Sequence, residues 1–381
     1  MAWQAIARYR VYLRQRPVIL AAFTVLAIVL FLAVTGISRA HQGQRQAIGE
    51  LWFNRGIADL SAKRYNAAVT DFRGALLYSP DEYTYQLQLA EALIGEGHPG
   101  PALAYLTNVW EREPDNGIVN LELARLAAQR GETELAIRYY HNAVYAVWPS
   151  DQEGRRRDAR LELIELLLRI NAKAQAQGEL LALAESVAPD PVLQERIGEL
   201  FLRAADYEHA LAAFNTVLQS DRHNLPALAG AGHAAFELAQ YPLAQRYLQA
   251  AVNANANDSS SAERLKTTQL VLHMDPFQGQ IPVAERDRIV VRAFQAAGER
   301  LKICKLPVVA SGTKTGELPL PDQWQRLKPQ ITEAGLRRDP HLVDRAMELV
   351  FRIEREAGAA CGMPQGTDLA LLLISRMHEG S

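Results

Sequence analysis

The sequence predicts an all-α chain: an N-terminal transmembrane helix, an α-solenoid of about six helix pairs and a C-terminal helical region. Three observations carry this prediction. One uncharged run of twenty residues is long enough to cross a bilayer, small residues recur every 34 positions, and the last hundred residues set apolar side chains at helical spacing.

Composition bounds the alternatives. The 381 residues hold 41 Lys and Arg against 43 Asp and Glu, a net charge of −2, and 49% are hydrophobic. Such a balance argues against charge-driven disorder and against a strongly basic nucleic-acid binder, so no nucleic-acid partner is expected. Two cysteines are too few for a Cys₄ metal site or a disulfide-dense mini-domain, although one bridge is allowed. The near-neutral total also hides an uneven distribution. Residues 1–45 contain six arginines and no acid, which leaves 35 basic against 43 acidic residues in the remainder.

Val18 to Ile37 is the uncharged run. As a helix it is about 30 Å long, the thickness of a hydrocarbon core, so residues 17–38 read as a transmembrane signal anchor with the lipid bilayer as partner. Arg8, Arg10, Arg14 and Arg16 precede it without an acid, whereas Arg39, Arg45 and Glu50 follow before Trp52. The positive-inside bias leaves residues 1–16 in the cytosol and sends the rest across. Trp3, Tyr9 and Tyr12 fall at headgroup level. Ser38-Arg39-Ala40 also presents small residues suited to signal-peptide cleavage. The run exceeds the roughly 7–15 residues of a signal h-region, which favours an uncleaved anchor.

From about residue 49 the sequence repeats. Gly56, Ala90 and Ala124 are 34 apart, as are Ala68, Ala102 and Ala136, then Gly198 and Gly232, and Ala210 and Ala244. Each is followed by a bulky residue in the second helix: Phe72, Leu106, Tyr140, Phe214 and Leu248. Two helices pack closely only where contact positions are small, so the Gly or Ala of the first helix should face the Ala of the second. The bulky residue then fills the gap to the next pair. Pro80, Pro114 and Pro149 close the first three pairs.

At these residues the chain resembles the tetratricopeptide repeat (TPR) family. The first unit carries Trp52, Gly56, Tyr65, Ala68, Phe72, Ala75 and Pro80, departing from the pattern at Asp59, where tyrosine is usual. The resemblance assigns residues 49–258 to a TPR array. Ala136 and Ala210 are 74 apart, so a fourth unit with about six extra residues lies between them. It is expected as a polar loop from Pro149 to Arg157 and helices near 159–168 and 172–188, with Glu165 and Gln177 at the small positions. Asn253 to Ser261 ends the array. Residues 259–275 then form a solvating cap, its helix starting at Ala262 behind a Ser260–Glu263 capping box.

Residues 276–381 do not repeat and read as a C-terminal helical domain. Val290, Phe294, Ala297 and Leu301 share one helical face; so do Val343, Ala346, Val350 and Ile353, and Leu369, Leu372, Leu373 and Met377. Asp339-Pro340 reads as a helix start and Gly358 as a stop. Lys305 to Leu320 reads as a loop, with a shorter helix around Trp324 after it. Cys304 sits at a helix end and Cys361 in a loop. In an exported chain a Cys304–Cys361 bridge would add up to about 4 kcal/mol in the chain-entropy model; buried free thiols are the competing state.

No catalytic constellation is found: no His-Glu-x-x-His, Gly-x-Ser-x-Gly, phosphate-cradling loop or Cys-x-x-Cys. His233 reads as a helix histidine near the groove, and capping explains Asp339 beside His341 and Asp344. Arg155, Arg156 and Arg157 read as a solvated loop, and Asn257-Asp258-Ser259 as a turn despite its sequon pattern. Two thiols would need His273 or His341 to bind a metal, and no spacing brings them together. No enzyme activity, metal or cofactor is therefore expected.

The TPR resemblance implies a concave groove lined by the second, fifth, ninth, twelfth and thirteenth positions of each unit. These are Phe53, Ile57, Leu60 and Ser61 in the first unit, Leu87, Glu91 and Ile94 in the second, and Leu121, Arg125 and Gln129 in the third. Glu195, Glu199 and Arg203 follow in the fifth, and His233, Phe236 and Glu237 in the sixth. Members that hold chaperone C-termini carry Lys and Asn where this chain has Phe53 and Ile57, which disfavours that ligand. The expected partner-binding set is Phe53, Ile57, Leu60, Leu87, Glu91, Ile94, Leu121 and Arg125. An apolar groove must bury against a protein or peptide partner, the chain's own C-terminal helices, or a second copy.

The layout resembles membrane-anchored bacterial TPR proteins, among them periplasmic helpers of the secretion translocon and of cytochrome c maturation. It implies a single-pass inner-membrane scaffold or assembly factor with a cytosolic N-terminus and periplasmic repeats. Two alternatives stay open: an organelle-membrane receptor with cytosolic repeats, and a recruiter with a catalytic C-terminal domain.

Overall fold

The computed structural model describes residues 2–146, 148, 153–186, 190–279, 281–304 and 318–378, with side chains described at 21 and from 23 onward. Among these residues there are eighteen helices and no strand. Their contacts divide the chain into two compact units, Met1–Leu166 and Leu167–Ser381.

The first unit opens with α1 (Ala2–Ser61), one helix of 60 residues. The expected span and the first helix of the first repeat are thus a single element. The sequence between them explains it: Ser38 to Ile48 has no proline, one glycine and mostly Gln, Arg and Ala, which leaves nothing to stop a helix. The side chains of Trp3, Arg8, Tyr9, Arg10, Tyr12, Arg14 and Arg16 lie outside the described residues. The helices α2 (Tyr65–Tyr78), α3 (Tyr83–Glu96), α4 (Pro99–Arg112), α5 (Gly117–Gln129), α6 (Thr133–Tyr145) and α7 (Glu153–Arg169) follow. The end of α1 pairs with α2, α3 with α4 and α5 with α6.

The second unit holds α8 (Lys173–Ser186), α9 (Pro191–Arg203), α10 (Tyr207–Ser220), α11 (Leu225–Glu237) and α12 (Tyr241–Ala254). Beyond them lie α13 (Ser259–Met274), α14 (Val283–Ile303), α15 (Leu320–Leu327), α16 (Glu333–Arg338), α17 (His341–Cys361) and α18 (Gly366–Met377). Here α9 pairs with α10 and α11 with α12.

The repeat period has a direct packing cause. Ala68, Ala102, Ala136, Ala210 and Ala244 are fully buried at the same position of each second helix. The small residue of the first helix makes room for the bulky one rather than for the alanine. A Cβ on Gly56 would lie 2.6 Å from the Phe72 ring, and the Phe214 ring touches both Gly198 in its own pair and Gly230 in the next. One phenylalanine thereby locks two successive pairs, as the sequence spacing predicts.

A second period lies in the turns. Lys63, Gly97, Gly131, Asn171, Ala205 and Ala239 all have positive φ, between 56° and 89°, at spacings of 34, 34, 40, 34 and 34. Each ends the first helix of a pair, and the next residue's N–H closes onto a carbonyl five residues back, as in Arg64 to Asp59 and Gln240 to Ala235. These turns fix the register of the fourth unit. Its small second-helix residue is Ala176, 34 before Ala210 and fully buried, and not Gln177; the first-helix position equivalent to Gly198 is Ile164, also fully buried, and not Glu165. The bulky position is Leu180, also fully buried. Residues 149–152 and 187–189 lie outside the described residues, including Pro149, but 153–157 are helical, so the expected polar loop ends earlier than Arg157.

After α12 the helix α13 starts at Ser259, earlier than expected, and its cap is Asp258, which accepts from the Ser261 N–H at 3.1 Å, in place of Ser260. Its outer side is covered by α18. Val271 and Met274 join Tyr241, Val290, Phe294, Val343, Val350 and Ile353 in one core. Trp324 stacks on Phe294 with centroids 5.4 Å apart, and its indole N–H donates to the Phe294 carbonyl at 2.9 Å.

Three local expectations change here. Helix α17 passes Gly358 and stops at Gly362, whose φ is 86°, so Cys361 is its last residue and not a loop residue. Of the face expected for α18 only Leu372 is buried, beside Ala370, Leu371, Ile374 and Ser375; Leu369 and Leu373 are half-buried and Met377 is 38% exposed. Of the loop expected from Lys305 to Leu320, residues 305–317 lie outside the described residues and Leu320 begins α15. Asp339 does accept from the His341 N–H at 3.1 Å, capping α17 as its spacing suggests. Cys304, buried, pairs with Cys361 across a Cα separation of 6.0 Å, joining the ends of α14 and α17.

Glu354 of α17 is sealed in this core. It is 0% exposed, and neither carboxylate oxygen has a hydrogen-bond partner among the described residues. Burial pushes its carboxyl up to about 8; Asp368 adds to the rise and Arg300 opposes it.

Candidate partner-binding face

The first helices of the repeats carry the expected groove residues, and the structure divides them into three groups. Leu87 and Leu121 are core residues, 5% and 2% exposed. Phe53 is half-buried, stacked on Tyr85 at 4.5 Å and tilted against Phe72 at 5.7 Å, so its ring joins the first pair to the second. Ile57 is 37% exposed, Leu60 and Ile94 are half-buried, and Ser61 and Gln129 are exposed.

The two charged members of the set are occupied within the first unit. Glu91 pairs with Arg155 at 3.6 Å, and burial pushes its carboxyl up while Arg155 pulls it down. Arg125 is the hub of a larger group. Its guanidinium donates to Glu122 at 2.6 Å and grips Glu162 through two nitrogens at 2.6 and 3.0 Å, and the Tyr140 hydroxyl donates to Glu162 at 3.0 Å. These bonds, above all those to Glu162, hold Arg125 in its charged form against the cost of burial. Burial raises the carboxyl of Glu122, again opposed by Arg125. The network belongs to packing of the third pair against α7.

Sequence reasoning did not find Glu122 or Glu162, and it gave Tyr140 only as the bulky residue of its pair. The fourth-unit register hid Glu162. A signal existed in Asn171, a residue tolerant of positive φ spaced 40 from Gly131 and 34 from Ala205.

In the second unit the face is polar. Glu195 accepts from the Asn224 amide at 2.9 Å, and Glu199 pairs with Arg196 at 3.2 Å. Arg203 is exposed. His233 lies 3.5 Å from Glu237 and 3.4 Å from Arg264. The hydrogen bond from His233 holds the Glu237 carboxyl below its ordinary range, with Arg264 and Arg376 adding to it and burial opposing. Phe236 packs on the C-terminal core, so the chain itself covers part of the sixth unit. Among the described residues no group of three or more His, Cys, Asp or Glu could hold a metal ion.

Residues 201–268 match the tetratricopeptide repeat family model. None of the curated proteins compared with the chain matches it. Among solved structures, YrrB, described as a TPR protein with an unusual peptide-binding site, is 16% identical over 50% of this chain and 95% of its own, with a TM-score of 0.42. PilF of Pseudomonas aeruginosa is 16% identical over 58% of this chain and 97% of its own, with a TM-score of 0.42. The C-terminal part of a TPR repeat-containing protein from Cytophaga hutchinsonii is 12% identical over 82% of this chain and 100% of its own, with a TM-score of 0.44.

Proposed function

We propose that this tetratricopeptide repeat protein is a non-catalytic scaffold that works on a membrane, with α1 in a bacterial inner membrane, residues 1–16 in the cytosol and both units in the periplasm. The observation that carries this reading is α1. The helix is long and apolar enough to cross a bilayer, none of its apolar window is buried by the rest of the protein, and it runs unbroken into the first repeat. A core helix would be covered; an uncovered apolar helix of this length is stable in lipid. The arginine-rich start of the chain supports the orientation, and the Cys304–Cys361 pair supports an oxidising compartment.

The partner is a protein or peptide segment laid on the first helices of the early repeats. Ile57 supplies open apolar surface there, flanked by Leu60 and Ile94; Leu87, Leu121, Glu91 and Arg125 shape that surface from behind. Crosslinking of the full chain in its native membrane tests both parts. The exported reading requires a mobility difference between reduced and non-reduced protein, and identical mobility rejects it. Ile57→Asp is expected to lose the crosslinked partner with an unchanged melting curve, and undiminished capture by that variant rejects the face. A crosslinked homodimer would identify the partner as a second copy.

A further inference from the structure

A cleft of about 620 Å³ opens in the first unit between α1 and the turn that joins α2 to α3. Gln42, Gln46 and Glu50 stand on successive turns of α1 and form one wall. A Cβ on Gly49 would lie 3.2 Å from the Ser79 Oγ, so its lack lets α1 lie tight against the end of α2. Asp81 and Glu82 of the turn and Tyr85 of α3 line the other side.

Two carboxylates here are uncommitted to any cation. Glu50 is exposed, with no ion pair or hydrogen bond among the described residues. Glu82 accepts from the Thr84 hydroxyl at 3.0 Å through one oxygen only. Asp81 is answered by Arg112 at 3.7 Å, and Arg45 donates to the Leu77 carbonyl at 3.0 Å. Tyr85 is 8% exposed with its ring stacked on Phe53, yet its hydroxyl has no hydrogen-bond partner among the described residues. Burial pushes this phenol up, and the charges of Glu50 and Glu82 add to the rise, which puts the hydroxyl in their field. A buried hydroxyl without a partner is costly unless a ligand supplies one.

We propose that this cleft binds a primary alkylammonium group. An ammonium carries three N–H donors and no acceptor, and the cleft sets three acceptors against it: the carboxylates of Glu50 and Glu82 and the phenol oxygen of Tyr85. A metal ion matches less well, since no group of three or more His, Cys, Asp or Glu among the described residues could hold one. The volume lies within the range of ligand pockets and leaves room for a methylene stem along Tyr78 and Pro80. A lysine side chain of a protein segment and a free alkylamine share this chemistry. The cleft uses none of Ile57, Leu60 and Ile94, so it does not rest on the partner-binding face.

Full-length protein in phosphatidylcholine nanodiscs, titrated calorimetrically with n-butylamine and with Nα-acetyl-lysine N-methylamide, tests the site. Both probes carry one ammonium on the same alkyl stem. Saturable binding is expected, and acetylating the lysine amine should abolish it. Glu50→Gln should weaken binding by about tenfold, the loss of a charge-assisted hydrogen bond, and Tyr85→Phe by a smaller factor. Arg45→Gln should tighten it, because a like charge leaves the lining. Glu50 is exposed and the Tyr85 hydroxyl has no partner in the fold, so the unliganded melting temperatures of Glu50→Gln and Tyr85→Phe should stay within about 2 °C of wild type or rise. Absence of saturation by either probe up to about 10 mM, undiminished binding of the acetylated amine, or wild-type affinity in the Glu50→Gln, Tyr85→Phe double variant overturns the proposal. Tighter binding of the lysine derivative than of butylamine supports the site with a protein segment as its ligand, and equal or weaker binding supports it with a free amine.

Discussion

Replacing Glu354 with glutamine isolates the cost of one sealed carboxyl. In the folded protein this group titrates near 8 instead of its ordinary 4.5. Because the folded pKa is raised, the folded state holds one proton more than the unfolded state between those values. Stability is therefore highest below pH 4.5, falls as pH rises, and reaches its floor above pH 8. At pH 7 the interval above 4.5 corresponds to about 3 kcal/mol of destabilisation, at about 1.4 kcal/mol per pH unit. Glutamine has nearly the same shape and no charge, so Glu354→Gln removes this slope. Wild type and variant should melt together near pH 4.5 and separate by about 5–10 °C at pH 7.5, the variant being the more stable. Circular dichroism of the full chain in detergent, at constant ionic strength from pH 4.5 to 8.5, measures the separation. Asp368 is raised as well, by burial, and Asp368→Asn serves as the companion variant that assigns any residual slope. A difference between wild type and Glu354→Gln that is the same at every pH would refute the reasoning, because it would reflect packing and not ionisation.

Three further perturbations follow from the description. Ala205→Gly and Ala239→Gly relieve left-handed backbone in the repeat turns and should each stabilise by about 1 kcal/mol in urea unfolding, against the usual cost of glycine. Arg125→Gln leaves Glu122 and Glu162 without their shared cation; since the arginine side chain is 38% exposed, the expected loss is about 2 kcal/mol, read as a lower urea midpoint for the first unit. Reducing the Cys304–Cys361 bridge opens a 57-residue loop and should lower the stability of the second unit by about 4 kcal/mol or less, measured by comparing denaturation with and without dithiothreitol.

Residue size explains what the sequence could and could not disclose. The five regular pairs announce themselves because Gly and Ala stand where bulky side chains must enter, a constraint visible without coordinates. In the fourth pair Ile164 occupies that place, so a search for small residues slides by one position onto Glu165 and Gln177. The turns carry the missing phase in their φ angles, but Lys63, Ala205 and Ala239 give no hint of positive φ by residue type. The binding face was legible only as positions. Whether Leu87 is a contact or a core residue depends on neighbouring side chains, and whether Glu91 is available depends on Arg155 reaching across from α7. At the C-terminus, leucines at 369, 371, 372 and 373 present apolar surface in several directions, so the buried stripe of α18 could be drawn on either side. Gly358 has ordinary helical backbone and no close approach, a Cβ there meeting only Leu372 at 3.7 Å, so nothing at that position ends the helix; the true stop needed the positive φ of Gly362.

Unbroken α1 also behaves as a mast. With residues 18–37 in lipid as proposed, the twelve residues from Ile37 to Gly49 set the first repeat about 18 Å above the hydrocarbon edge. A stiff helix fixes compass bearing as well as height. One residue inserted between Ser38 and Ile48 would raise the first repeat by only about 1.5 Å yet swing it through about 100° around the axis. Seven inserted residues would lift it by about 10 Å and nearly restore its bearing. A membrane-bound partner would thus be selected by the direction in which the first repeat points, and the length of this short neck becomes a setting in its own right.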